Sequence, residues 1–535
     1  MAPLSIFLWL PAASGVLGAL AALLAGRRPA RSWLPPAFAL VGALAAFGLS
    51  IAYIAEYKPG GGSQDVTDVV WIAELGIHYK LALTGLNLFL LALTTLLFAV
   101  AVFAATMRTW ERPRLFYFNL MLAESAVLGA FLAQDLALFV AFFDLMLIPF
   151  YFLTGGWGRE PGRVRATIKL VIYTLVGSLL MLAGAVALGV IASQHSGHHI
   201  TFVLSTLQAM GLPNGSQDWI FLCFAAAFLV KMPAFPLHGW MPDGYRAMPI
   251  EVLMVFSGVL SKVGAYGFLA IVLPLMPHAS VHYQTLMLVI ALASILYGSA
   301  QAFSQTDARL IAGYSSVAQL GFITLGIFAL NSQGGQGALL QMVNHGLVVG
   351  ALLFIVALLA ARAGGSEDIR EMGGIAFRAP VLASLFLIVS LATLAMPGSA
   401  NFVGEFLILL GVFNAKLVIA IIAFTGVVLA SVYALRLFIA AMHNRVGPKV
   451  QSFEIPLRQS VVLVPLVAAV LLLALYPQIA LHRSERSLKV AVAPVARASG
   501  QPAYASAPAP TPVRAPAGAS ASADASTRAS AGVHP

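Results

Sequence analysis

Residues 218–243 read DWIFLCFAAAFLVKMPAFPLHGWMPD. An apolar run opens the stretch, and then Lys231, Pro233, Pro236, His238 and Pro242 fall where a helix would be expected to continue. Proline removes an i to i−4 backbone hydrogen bond and bends the helix. A lysine inside a bilayer costs several kcal/mol, so it asks for a partner or a task. The stretch therefore predicts a membrane helix that is interrupted next to a buried charge.

The rest of the chain supports the lipid reading. Of 535 residues, 60% are hydrophobic and 9% are Asp, Glu, Lys or Arg, with a mean hydropathy of +0.91, against roughly 25% charged residues in soluble domains. Fifty charges cannot coat a globule of this size, which excludes a soluble enzyme and a nucleic-acid binder. Spanning helices need about 20 apolar residues, a length that also argues against a β-barrel. Fourteen such spans are predicted, near 4–25, 33–55, 83–106, 115–132, 136–154, 167–191, 218–240, 250–274, 283–303, 309–330, 337–361, 380–412, 417–441 and 459–480.

Charge sets the expected orientation. The net charge is +10, and eighteen Lys and Arg, from Arg27 and Arg28 to Arg458, lie in loops after odd-numbered spans. Lys58, Lys80 and Lys416 alone lie after even-numbered ones. The positive-inside rule then puts the odd loops in the cytoplasm and both termini outside, in an inner (cytoplasmic) membrane. The start lacks a basic leader segment and reads as a retained first helix. The loop at 56–82 has Gly-rich turn signals followed by alternation and predicts a small outer hairpin with a capping or subunit-contact role. From 491 onward the Pro/Ala/Ser/Gly-rich composition predicts a disordered tail. Cys223 lies in an apolar run and reads as an inert packed thiol, and His195, His198 and His199 read as a solvated loop rather than a metal site.

A second stretch, TLAMPGSANFVGEF at 393–406, places Pro397 and Gly398 inside span 12. Both interruptions carry Met-Pro, and they lie five spans apart. Paired breaks in two halves point to an inverted repeat with an ion path at the breaks. Spans 4 to 8 (residues 111–275) and 9 to 13 (276–445) are the expected units. Residues 1–110 precede them, and 446–490 with span 14 and the 491–535 tail follow. The fold class is thus an all-α polytopic bundle of about fourteen helices, with spans 7 and 12 broken.

Six ionisable groups fall within these spans: Glu124, Asp144, Lys231, Lys262, His345 and Glu405. Burial favours a neutral lysine while a nearby carboxylate favours the charged form, so a lysine beside a movable carboxylate can load and release a proton. A static ion pair that fixes packing is the plainer reading of any one pair; a set over six helices, with lysines in successive spans, points to a proton relay. Glu251 sits eleven residues before Lys262, on the same helix face. It reads either as the mouth of an entry path or, more plainly, as an N-terminal charge in contact with solvent.

AFFDLMLIPFYFL, LVKMPAFPLHGWMPD, SGVLSKVGAYGFL, AGYSSVAQLGF, VNHGLVVGALLF and MPGSANFVGEFLILLG occur in this order. Together they resemble the antiporter-like membrane subunits of proton-pumping NADH:quinone oxidoreductase, respiratory complex I, over about residues 80–480. NFVGEF, and an end soon after span 14 without a long lateral helix, favour the M type over the L type. The resemblance implies that Lys231 is the central pump lysine, Lys262 the second lysine, His345 the relay histidine and Glu405 the terminal carboxylate. Asp144 stands where the family usually has Glu, one methylene longer, so its pairing with Lys231 is expected to be looser or its helix closer. Glu124 matches no residue of the pattern and is expected to assist Asp144. His238 belongs to a matched motif, in gating or in packing. Gln319 replaces a frequent histidine, and YRAMPIEVLMVFSG after Gly244 departs from the usual Ala-Pro-Thr-rich run at the cytoplasmic entry.

The resemblance also implies L-type and N-type neighbours in the membrane. NADH, FMN, iron–sulfur clusters and quinone are expected on other subunits, because this chain has no glycine-rich dinucleotide loop and no cluster cysteines. A cation/proton antiporter of the Mrp type, a membrane-bound hydrogenase subunit and a purely structural membrane-arm subunit are the alternatives.

Overall fold

The computed structural model describes residues 3–25, 30–60 and 62–500. Arg27, Arg28 and residues 501–535 of the expected tail lie outside the described residues. Helices run along the chain as α1 Leu4–Leu24, α2 Ala30–Glu56, α3 Leu88–Ala105, α4 Pro113–Leu132, α5 Leu136–Trp157 and α6 Arg163–Ser196. They continue as α7 Leu204–Met210, α8 Asn214–Lys231, α9 Met241–Ala247, α10 Ile250–Leu275, α11 Pro277–His282, α12 Gln284–Ser304 and α13 Ala308–Ile327. The last are α14 Ser332–Arg362, α15 Pro380–Thr393, α16 Ala400–Ala415, α17 Leu417–Met442, α18 Leu457–Leu475 and α19 Gln478–Ala498. Among the described residues, twelve helices are long and apolar enough to cross a membrane.

Packing is inverted relative to a soluble bundle. On α6 the exposed side carries Val164, Ile168, Ile172, Leu175, Leu179 and Val186, while Thr167, Thr174, Gly177, Ser178 and Gly184 face inward. Lipid is as apolar as leucine, so helices associate through small residues that bring backbones close, not by hiding large ones. Gly298 on α12 and Gly321 on α13 show this, since a Cβ would lie 2.7 Å from Ala318 N and 2.8 Å from Ala291 O respectively.

Polar caps fix where helices start. The Asp307 carboxylate accepts from Arg309 N (2.9 Å) and Leu310 N (3.1 Å) at α13, and Asn331 Oδ1 accepts from Gly334 N (2.9 Å) at α14. The loop at 56–82 does form a hairpin, with β1 Gln64–Ile72 antiparallel to β2 Ile77–Leu83. Asp68 opposes Lys80 and pairs with it at 2.7 Å, and the Lys80 hydrogen bond holds the Asp68 carboxyl below the usual range. Asp135 ties this hairpin to α5, accepting from His78 N (3.1 Å) and from Leu138 N (3.1 Å).

Both expected interruptions are present. After Lys231 the helix stops until Met241, and the carbonyl of Val230 accepts from the Trp240 indole (3.0 Å) while Phe235 N donates to Ser294 Oγ (3.0 Å). Between α15 and α16 the chain turns through Gly398 at φ +91°, and Asn344 Nδ2 donates to Ala400 O (2.6 Å). Backbone groups freed by the breaks are thus met by protein, the condition under which irregular backbone survives at membrane depth.

One expectation fails at the C-terminal end. Residues 491–498, read as disordered, belong to α19, and the 446–490 unit holds two helices rather than one. Ala480, Ser484, Ser487, Leu488, Ala491, Val492 and Val495 recur at helical spacing and are buried. Ser487 Oγ accepts from Gly85 N (3.1 Å), and Leu488 packs on Gly335 of α14. Small side chains and interspersed Arg483, Arg486 and Lys489 lower the apparent hydrophobicity, yet the face they leave is closely packed.

The Arg-rich loops interlock through Arg309, which is wholly buried. Its guanidinium makes a two-pronged pair with Glu367 (2.9 and 2.7 Å) and donates to the carbonyls of Tyr245 (3.1 Å) and Met248 (2.7 Å); Arg159 also reaches Glu367 (2.8 Å). Burial pushes the Glu367 carboxyl up, but the Arg309 hydrogen bonds and charge, with Arg159 beside them, bring it below its ordinary value. Its stabilisation is therefore present above the ordinary carboxylate range and lost as pH falls through the depressed value. Arg309→Met is expected to cost about 3–5 kcal/mol, while Arg370→Ala, which removes an exposed pair within one loop, is expected to leave the unfolding midpoint nearly unchanged. Thermal unfolding of the two variants in detergent checks this; equal midpoints would contradict it.

Candidate functional site

The break after α8 leaves Lys231 as that helix's last residue, buried, with its Nζ 4.7 Å from the centre of the Phe143 ring. Asp144, next on α5, is half-buried and accepts a hydrogen bond from Ser178 of α6. It is the charge that acts on Lys231, yet among the described residues the side-chain bond it makes is to Ser178 and no ion pair joins it to Lys231.

The next charge lies on α10, whose α-helical turns at Ser261–Gly267 are flanked by π-helical segments Phe256–Leu260 and Phe268–Val272. Such i to i+5 turns are rare and concentrate at functional sites. Here they carry Lys262, wholly buried, whose Nζ donates to Ser257 O (2.7 Å) and Ser261 Oγ (3.2 Å). Its Nζ is held by its own helix, and among the described residues no carboxylate forms an ion pair with it. Glycines bring α10 against its neighbours on two sides. A Cβ at Gly264 would meet Phe228 O and Met232 Cγ (both 2.9 Å), on either side of Lys231 in the chain, and Gly258 faces the Gly346 carbonyl of α14.

On α14, His345 is buried and neither ring nitrogen has a partner among the described residues; Lys262 is the charge acting on it. One turn earlier, Gln341 reaches α16. Glu405 Oε1 accepts from Gln319 Nε2 (2.8 Å) and Gln341 Nε2 (3.4 Å), and Gln341 Nε2 also donates to Gln319 Oε1 (2.8 Å). Glu405 Oε2 is left without a partner, as are both polar atoms of Asn401 and Asn344 Oδ1. Buried polar atoms are nearly always bonded, so this concentration marks polar interior rather than packing core. The amides Gln319, Gln341, Asn344 and Asn401 were not singled out as a group from the sequence, although four amides in apolar spans were a visible signal.

Asp144, Lys231, Lys262, His345 and Glu405 thus lie on α5, α8, α10, α14 and α16. The other three candidates stand apart from it. Glu124 on α4 is wholly buried, and among the described residues neither carboxyl oxygen has a hydrogen-bond partner, Asp144 included. His238 lies in the first break, stacked near Phe235 (5.8 Å) and Tyr297 (4.8 Å), its Nδ1 unpartnered. Glu251 corrects the plainer expectation: it is 3% exposed rather than solvated, and Arg108 Nη1 donates to it at 3.2 Å. His195, His198 and His199 are exposed, Cys223 is half-buried, and among the described residues no cluster of His, Cys, Asp and Glu could hold a metal.

Residues 133–430 match the family model described as "NADH:quinone oxidoreductase/Mrp antiporter, TM". The chain is 34% identical to NADH-quinone oxidoreductase subunit M of Rhodobacter capsulatus, over 89% of its own length and 93% of the relative's. It is 36% identical to the subunit M of Escherichia coli K12 over 79% and 84%. Among solved structures, a chain of respiratory complex I from Thermus thermophilus with bound NADH matches with a TM-score of 0.81 at 31% identity, covering 91% of this chain and 99% of that one. An Mrp complex chain from Dietzia shares the fold, with a TM-score of 0.79 at 19% identity over 93% and 99%.

The amide cradle predicts an asymmetry. Gln319→Leu removes the 2.8 Å donor to Glu405 and is expected to destabilise by about 1–3 kcal/mol. Glu405→Gln keeps shape and hydrogen-bonding capacity and is expected to cost less. Thermal midpoints in detergent check the order, and the reverse order would contradict it.

Proposed function

The chain belongs to the NADH-quinone oxidoreductase subunit M family, within the NADH:quinone oxidoreductase/Mrp antiporter group, and on that premise we propose that it is a proton-translocating module driven by electron transfer elsewhere in its complex. It is a membrane-arm subunit of a complex I/Mrp-like respiratory assembly and a multi-pass protein of the bacterial inner membrane. In this reading it crosses fourteen times, the interrupted stretches α8–α9 and α15–α16 counting once each, with both termini outside. Residues 111–275 and 276–445 are its two inverted repeats. Its neighbours are the L-type and N-type subunits, and NADH, FMN, iron–sulfur clusters and quinone sit on other subunits.

The observation that carries the relay is the set of ionisable groups on five apolar helices, with Lys231 at a break, Lys262 between two π-helical segments and Glu405 in an amide cradle. Asp144 and Lys231 stand apart rather than locked in contact, so a change in their separation changes how strongly Lys231 holds its proton. When Asp144 approaches, the ammonium is favoured; when it withdraws toward Ser178, the proton is released. Lys262 and the unpartnered His345 accept it in turn, and Glu405 passes it outward. Water bridges the steps that side chains do not span.

Lys231→Ala is expected to leave the complex assembled and to lower proton translocation about tenfold or more, measured as the proton-to-electron ratio in inverted membrane vesicles oxidising NADH. An unchanged ratio contradicts the reading. Asp144→Glu adds a methylene, about 1.5 Å of reach, and is expected to retain coupling, whereas Asp144→Asn is expected to lose it. Wild-type coupling in Asp144→Asn would remove Asp144 from the relay.

A further inference from the structure

Glu124 is the buried charge the relay leaves unused. It lies seven residues, two turns, from Tyr117 on one side and from Phe131 on the other, so the three share a stripe of α4. Toward its C-terminal end α4 packs against the Ser261–Gly267 turns of α10, which carry Lys262. At one end Tyr117 is within electrostatic reach of Glu251, the second residue of α10. At the other, the Phe131 carbonyl accepts from Tyr266 Oη (3.0 Å), one turn beyond Lys262. Fourteen residues of α4 thus match fifteen of α10, and Glu124 falls at the level of the π-helical segment Phe256–Leu260, between Glu251 and Lys262.

The seam has an open end. A cavity of about 350 Å³ at the face of the Arg-rich loops is lined by Arg108, Glu251, Arg159, Met107 and Gln459. Across it the half-exposed Arg108 holds the buried Glu251 carboxylate (3.2 and 3.4 Å). The arrangement places a half-exposed cation on a buried carboxylate at the cavity, with Glu124, whose two oxygens have no partner among the described residues, two turns along α4 from Tyr117. An unpaired carboxyl wholly buried among apolar helices is stable there only as the neutral acid, the form that can hand on a proton.

We propose that the α4–α10 seam is a proton-uptake branch, in which the Arg108–Glu251 pair gates the cavity and Glu124 carries the proton inward to Lys262. It rests on the relay reading above and adds a loading route that enters at Lys262 rather than at Lys231. The transfer is proton movement alone: the Glu124 carboxyl gives its proton through water to the neutral Lys262 amine and is reprotonated from Glu251. Arg108 releases Glu251 when it swings into the cavity.

The test uses the intact complex in inverted vesicles, with assembly checked by a native gel stained for NADH dehydrogenase activity. Glu124→Gln and Glu251→Gln are each expected to slow proton translocation about tenfold, and the double variant is expected to be no slower than either, because both act on one route. Glu124→Asp is expected to restore most of the rate. Full rates in Glu124→Gln, or multiplied losses in the double variant, overturn the proposal. If Lys231→Ala abolishes pumping while Glu124→Gln does not, the seam fails and the relay stands; if Lys231→Ala changes nothing, the relay itself fails. Should Glu124→Gln not assemble, Met107→Cys in a Cys223→Ser background decides: a charged thiol reagent in the cavity is expected to block pumping, and labelling without inhibition overturns the proposal.

Discussion

Lipid neither hydrates a charge nor bonds a free carbonyl, and that constraint organises this chain. Each departure from an apolar helix must be met by protein or by enclosed water. The break after Lys231 is met by Trp240 and Ser294, the break before Ala400 by Asn344, and the Nζ of Lys262 by the Ser257 carbonyl. Residues that would be decoration on a soluble surface are here the conditions for the backbone to exist at depth. The same constraint explains why large apolar residues face outward on α6 while glycine, serine and threonine fill its contacts.

Within that frame α10 is the hub. Its glycines let α8 approach from one side and α14 from the other, and its π-helical turns carry a lysine between the two. A longer side chain at Gly258 would collide with Leu97 and the Gly346 carbonyl, and one at Gly264 with Met232. The polar groups on either side are therefore kept close without touching: Asp144 near but not bonded to Lys231, His345 near Lys262 with free nitrogens. Separations of this kind suit a relay better than tight pairs, since a locked ion pair holds its proton too firmly to trade it. The Arg309–Glu367 clamp does the opposite work, fixing four loops at the Arg-rich face.

Much of this was legible from residues because the signals are coarse. Apolar runs, Met-Pro breaks and charges inside spans depend on composition over tens of residues, and the helices fall where those runs are. Gly-rich turns followed by alternation marked the hairpin. What was hidden depends on three-dimensional partners. The amide cradle of Glu405 joins residues 319, 341 and 405, far apart in sequence and unremarkable singly. The burial of Glu251 needed Arg108 from α3's end. Helix α19 escaped because its packing face is built of Ala and Ser between charges, a pattern that reads as a tail until a partner such as Gly335 is placed beneath it.

The most direct test of the central claim is a high-resolution map of the assembled complex that resolves ordered water along α5, α8, α10, α14 and α16. The account predicts water molecules bonded to the nitrogens of His345 and to Glu405 Oε2, joined through to Lys262 and Lys231. Dry apolar packing between Lys262, His345 and Glu405 would contradict it.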